Sequence, residues 1–299
     1  MTNNNSESNQ DREPYALAET DGNKGYVILN RPERLNAFGV GEQDEVRAAF
    51  EQLEADDKIK VIIFRGKGRS FSTGHDVRDL GTQYSQGVPE GKPTQRSRLR
   101  SDLSSRTNKD AVFQSSKVVI AEARGYVLGG ALLYYLNADI LIAAEGTIFG
   151  SPPARMIGTG GGIFTMLKLG IAVSNEMQYM GRYFRAEELQ ARGVLNRVVP
   201  LEKLEETTEA AAELVCGIPA DGLAVGKLAN RIAWSMLGAD ASGLVSAMSH
   251  ALQVQQKLGD DEWNLFRDRK EKGAKGAWQN RDGRWAELMR SYDPDGVIA

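Results

Sequence analysis

The chain of 299 residues carries 37 Lys and Arg against 40 Asp and Glu, a net charge of −3, with two His and one Cys. That balance argues against a strongly basic nucleic-acid binder or a polybasic membrane surface, and two His with one thiol leave little for a transition-metal site. Cys216 cannot form an internal disulfide, so a reduced, cytoplasmic compartment is expected, for a soluble enzyme of one large domain or two.

Residues 1–14 hold no apolar run and read as a disordered tail, not a secretory signal. Tyr26-Val27-Ile28-Leu29 reads as a strand, closed by Asn30-Arg31-Pro32. Residues 41–53 place Val46, Ala49, Phe50 and Leu53 at helical spacing. Val61-Ile62-Ile63-Phe64, Val118-Val119-Ile120-Ala121 and Ile140-Leu141-Ile142-Ala143 are apolar on both faces, which predicts buried strands in an α/β layered core. Residues 81–116 are mostly polar, with two prolines, six basic and three acidic groups. Ordinary loops run about 4–6 residues, so this segment is expected to be a solvated insertion containing a helix, or a mobile cover over a ligand site. The apolar stretch 127–144 is broken by Gly129-Gly130, Asn137 and Asp139, whereas a membrane span needs about 20 nearly uninterrupted apolar residues. Beyond Val199 the pattern is mostly helical, clearest over 201–216 and 244–258.

Several nucleotide and hydrolase signatures are absent. The run Gly158-Thr159-Gly160-Gly161-Gly162-Ile163 lacks the last glycine of a dinucleotide fingerprint and follows prolines instead of a strand. No phosphate-binding G-x-x-x-x-G-K-[ST], G-x-S-x-G or H-E-x-x-H occurs. What stands out is a pair of glycine-bearing turns after strands, Phe71-Ser72-Thr73-Gly74-His75-Asp76 and Gly125-Tyr126-Val127-Leu128-Gly129-Gly130. Glycine there lets a ligand approach backbone N–H groups, and two such groups aimed at one carbonyl oxygen make an oxyanion hole. The glycines could equally serve only the tight strand-to-helix turns.

Together with Asn30-Arg31-Pro32, Leu35-Asn36-Ala37, Ala138-Asp139-Ile140 and Gly193-Val194-Leu195-Asn196-Arg197-Val198-Val199-Pro200, these two turns resemble the crotonase (enoyl-CoA hydratase/isomerase) superfamily. The resemblance spans 15–200 and is looser beyond. It implies an α/β fold, a crotonase-like ββα spiral core with a C-terminal helical trimerisation region over 201–299, assembling as a trimer or hexamer. It implies an acyl-CoA substrate, with no tightly bound cofactor, coenzyme A being part of the substrate, and neither nucleic acid nor membrane as partner. Carried over residue by residue, the backbone N–H groups of His75 and Gly130 would form the oxyanion hole. Ser72, Gly74, Asp76, Val77 and Arg78 would hold the pantetheine and thioester, with Tyr126 beside them. Arg34 would meet coenzyme phosphates, Glu33 having taken the first basic position, and Arg155 would pair with an acidic substituent.

The sequence departs from the hydratases at both acid–base positions. Where they place two glutamates, this chain has Leu133 and Pro153, and neither can move a proton. His75 is a tentative replacement base; Asp76 and Asp139 are expected to tie turns, and Glu122 to be a buried, partnered acid. His250, Glu262 and Trp263 could reach substrate from the C-terminal helices, and Arg281, near Trp278 and Trp285, could meet the adenine end. The reading is an enzyme that stabilises a thioester enolate, of lyase or isomerase type. The alternatives are a retro-Claisen hydrolase of a β-diketone and a non-catalytic acyl-CoA binding protein.

Overall fold

The computed structural model of the chain describes residues 13–76, 94–156, 158, 162–253 and 258–294. A hairpin of β1 (Ala16–Asp21) and β2 (Lys24–Leu29) turns at Gly22, whose φ of 60° suits glycine. The chain then passes through α1 (Val40–Glu54) into β3 (Val61–Gly66), which pairs parallel to β2. From α2 (Gln95–Gln114) it enters β4 (Val118–Ala123), β5 (Tyr126–Leu128), α3 (Gly130–Leu136), β6 (Ile140–Ala144) and β7 (Ile148–Gly150). Next come α4 (Ile163–Leu169), α5 (Ile171–Tyr179), β8 (Phe184–Arg185), α6 (Ala186–Ala191) and β9 (Arg197–Val199). Four helices close the chain: α7 (Leu204–Cys216), α8 (Ala220–Met236), α9 (Ala239–Gln253) and α10 (Leu265–Tyr292), the last kinked at Gly273.

The strands form two layers. A larger sheet runs β1-β2-β3-β4-β6-β9, parallel except for the hairpin, and a smaller one runs β5-β7-β8. Strand alternation divides the core between the two faces of the larger sheet. Ile62 and Phe64 join Phe50, Leu53 and Phe71 on one side, while Val61 and Ile63 meet Leu204, Ala212 and Val215 of α7 on the other. The expectation of both-face-buried strands is met by residues 61–64, 119–121 and 141–143, with Val118 and Ile140 half-buried at the strand starts.

Asn36 pins the turn before α1 to the loop after β3. Its side chain accepts from Arg31 N–H at 2.8 Å and donates to Lys67 O and Ser70 O, while its carbonyl accepts from the Tyr15 and Ser72 hydroxyls. Leu35 and Asn36 both hold φ above 50°, a region in which asparagine is one of the more tolerated side chains.

The segment 81–116 differs from a solvated insertion in its described part. Helix α2 lies against α1 and α9 and buries Asn108, Lys109 and Val112; residues 81–93 are outside the described residues. Helix α9 begins at Ala239, earlier than the apolar spacing over 244–258 suggested, because small residues (Ala239, Ser242, Ala247 and Ala251) make its buried face. Residues 1–12 of the expected tail are outside the described residues, and Glu13 and Pro14 are exposed. No described helix is long and apolar enough to cross a membrane.

Candidate active site

Residues 71–76 lie between the turn at 30–38 and β5, and their backbone groups are nearly all taken. Ser72 N–H donates to Tyr126 O at 3.0 Å, and Ser72 O accepts from Leu128 N–H at 3.1 Å. Thr73 N–H goes to Leu35 O, Gly74 N–H to Ser72 Oγ and Asp76 N–H to Phe38 O. In this run only the His75 N–H has no partner among the described residues. Gly130 opens α3, so its N–H has no helical carbonyl one turn earlier.

Close packing brings these two residues together. Gly74 has φ of 83°, and a β-carbon there would lie 2.5 Å from Leu128 O and 3.1 Å from Gly130 N. A β-carbon on Gly130 would come within 2.8 Å of His75 Cε1 and 2.9 Å of Phe38 Cζ. Both positions therefore require glycine, one for conformation and space, the other for space alone.

A cavity of about 1300 Å³ opens beside them. Leu35, Thr73, His75, Leu128, Gly130, Leu133 and Pro153 line one side, and α2 and α9 contribute Asp102, Ser105, Lys109 and His250 to its wall. The positions of Leu133 and Pro153 are thus apolar parts of the wall. The His75 imidazole is wedged edge-on against Phe38, ring centroids 4.8 Å apart. Although the ring keeps some surface toward the cavity, the protein packed around it pushes its pKa down to about 3, with Lys109 and His250 adding in the same direction. A base that weak accepts little proton at neutral pH, which counts against the imidazole as the general base.

Lys109 reaches the same region from α2. Its ammonium donates to Gln43 Oε1 at 2.8 Å, Ser105 Oγ at 2.5 Å and Ser105 O at 3.1 Å, and it stands 5.5 Å from the Tyr134 ring centre. Burial lowers its pKa to about 8, with Asp102 and Asp110 opposing. Further along the wall, His250 Nδ1 lies 2.8 Å from Asp102 Oδ1. A carboxylate at Nδ1 orients the imidazole ring.

Several residues expected at the site have other work. Arg155 is 3% exposed, donates to Gly181 O at 2.7 Å and Asp282 at 3.1 Å, and stacks 3.7 Å from the Tyr183 ring centre; it is not on the cavity wall. Its guanidinium ties the 152–155 turn to α10 and cannot serve a substrate acid. Ser72 is fully buried with its hydroxyl on Asn36 O, so neither its side chain nor its paired backbone holds a ligand. The Gly74 carbonyl is likewise taken, by Phe38 N–H. Tyr126 presents its ring to solvent away from the cavity wall, and its backbone ties the 70–72 loop to β5. Asp76 is buried and pairs with the half-exposed Arg34 at 3.5 Å, both off the cavity wall; Val77 and Arg78 lie outside the described residues.

The remaining candidates divide in the same way. Asp139 accepts from Val119 N–H at 2.7 Å and pairs with Lys227, and the buried Glu122 pairs with Arg124 at 2.6 Å. Glu262 caps the Gly259 N–H and Trp263 donates to Asp268, both away from the cavity. Arg281 does line it, held on Asp282 and stacked 4.6 Å over Trp278, whereas the Trp285 N–H goes to Met180 O. Gln43, Asp102 and Lys109 were not singled out from sequence. Ser105, Asn108, Lys109 and Val112 do follow helical spacing, and three of the four are polar.

The comparisons with known proteins bear on this geometry. A family model described as enoyl-CoA hydratase/isomerase matches residues 19–257. The chain belongs to the enoyl-CoA hydratase/isomerase family. A protein of Mycobacterium bovis named "Probable enoyl-CoA hydratase" is 29% identical over 214 residues, covering 71% of this chain and 79% of its own length. A second mycobacterial relative, from Mycobacterium tuberculosis and also named for enoyl-CoA hydratase, is 28% identical over 271 residues, covering 83% of this chain and 81% of itself. The crystal structure of an enoyl-CoA hydratase/isomerase from Xanthobacter autotrophicus superposes with a TM-score of 0.76 at 28% identity, covering 90% of this chain and 98% of that one. An enoyl-CoA hydratase of Mycobacterium smegmatis reaches a TM-score of 0.82 at 21% identity, over 93% of this chain and 96% of that one, a likeness of fold. The α/β fold expected from the sequence is thus the fold of this family.

Proposed function

We propose that this member of the enoyl-CoA hydratase/isomerase family binds an acyl-CoA thioester and stabilises its enolate with the N–H groups of His75 and Gly130. The observation that carries this reading is the His75 amide, which has no partner among the described residues and lies beside Gly130 in a run whose other amides are all engaged. Two fixed donors in an enclosed wall favour an oxygen that gains negative charge, because they need no rearrangement as that charge develops. Arg34, half-exposed beside Asp76 and off the cavity wall, would meet coenzyme phosphates outside the cavity.

With leucine and proline at the hydratase glutamate positions, the proton is handled elsewhere on the wall. The Asp102–His250 pair is the best suited, since both residues line the cavity and the carboxylate orients the imidazole. The low basicity of His75 weakens the β-diketone hydrolase, which would rely on it to activate water. The apolar Leu133 and Pro153 keep a binding-only protein as the second reading. Coenzyme A enters as part of the substrate, and self-association through the C-terminal helices completes the proposal.

Exchange of α-hydrogen separates the two readings. Incubated with butyryl-CoA in D2O, the enzyme is expected to incorporate deuterium at the α-carbon, followed by mass spectrometry. Gly130→Val should slow exchange by about 10²–10³, and His250→Gln by about 10²–10⁴. Tight binding of butyryl-CoA with no exchange in the wild type would leave the binding-only reading, and absence of binding would end both.

A further inference from the structure

We propose that Gln43 is a specificity-determining residue that selects acyl groups bearing an acceptor oxygen beyond the thioester, by donating a side-chain N–H to that oxygen. This rests on the acyl-thioester reading above and specifies its substrate class. Gln43 stands in the first turn of α1, is 3% exposed, and borders the cavity shared with His75 and Gly130.

The orientation of its carboxamide is fixed by chemistry. Lys109 Nζ and Ser105 Oγ both donate to one oxygen, Oε1, each at 2.8 Å. An ammonium has donors only, so the end facing Lys109 must be the carbonyl, and the –NH2 end must point away from it. The Gln43 nitrogen then has no partner among the described residues. Neither Ser105 nor Lys109 can supply one. Ser105 Oγ already receives a Lys109 proton and sends its own to Gln43, and the three donors of Lys109 are met by three oxygens.

The result is a nearly buried donor, held rigidly by a charged neighbour, on the wall of a cavity whose nearby surfaces at Leu35, Leu128 and Leu133 are apolar. A plain alkyl chain seated there would strip water from the N–H and return nothing. A carbonyl or carboxylate oxygen on the acyl chain would complete it. Lys109 therefore acts through Gln43, as the residue that prevents the amide from turning over.

Binding of matched esters tests the assignment. Calorimetry compares 4-oxopentanoyl-CoA with 4-methylpentanoyl-CoA, and 5-oxohexanoyl-CoA with 5-methylhexanoyl-CoA, pairs alike in shape that differ in the acceptor. In the wild type the oxo ester of at least one pair is expected to bind about tenfold more tightly. Gln43→Glu keeps an oxygen on Lys109 and replaces the donor by a second acceptor. That variant should bring the preference to parity or below, with the methyl ester bound within about twofold of wild type. Parity in both wild-type pairs, or a preference that survives in a folded Gln43→Glu, overturns the proposal. If the variant does not fold, the wild-type ratios alone decide. Failure of coenzyme A and all four esters to bind would instead defeat the acyl-thioester reading, and this inference with it.

Discussion

A single imidazole illustrates how much of this site is set by enclosure. His75 stands where a catalytic base was expected, yet Phe38 and Gly130 hold its ring and its pKa falls to about 3. Between that value and the 6.5 of a free histidine, the unfolded chain binds a proton that the native chain refuses. Stability therefore rises with pH across that window and is lost on acidification, by at most a few kcal/mol. Urea midpoints at pH 4.5 and 7.5 should differ less in His75→Gln than in the wild type; an unchanged difference would show that the ring does not titrate as argued. The main-chain role proposed for His75 came from family resemblance, carried by the glycine turn around it. The basicity of its side chain was not, because that depends on Phe38, Lys109 and His250, which are distant in sequence.

Among the elements, α2 was the hardest to read and carries much of the cavity wall. Its buried face uses Asn108 and Lys109 beside Val112, and apolar periodicity cannot detect a face that is polar. The short strands β5, β7 and β8, of three, three and two residues, escaped for a different reason, since so few positions leave no pattern to count. By contrast β3, β4 and β6 were legible because both their faces are apolar. Helix α2 also acts electrically on the loop opposite, because the Lys109 charge helps hold the His75 pKa down. Lys109→Met should accordingly raise the His75 pKa, read from proton chemical shifts between pH 3 and 7. With two histidines in the chain, one His250→Gln sample assigns the resonances. A fall in that pKa would contradict the placement of the charge.

For the molecule as a whole, the C-terminal helices divide their surfaces unevenly. Helix α7 buries Leu204, Thr208, Ala212 and Val215 against the sheet, whereas α8 buries nothing and exposes Val225, Leu228, Ile232 and Met236. A row of apolar side chains on one face is costly to leave in water. The proposed self-association would cover it. Light scattering at micromolar concentration should report an assembly, with Leu228→Glu lowering its mass toward that of one chain. A wild-type monomer would remove that part of the reading. Self-association was expected from family resemblance alone, since an amphipathic helix looks the same in sequence whether its apolar side meets its own core or another subunit.

The two proposed enolate donors are peptide N–H groups, present at every residue but proline, while the opposite wall is made of side chains on a separate helix. Amino-acid replacements along α2 would therefore change which chains are admitted without removing the proposed grip on the thioester. Such a division would let a lineage explore new metabolites by altering one helical face, so long as Asp102 on that face is kept.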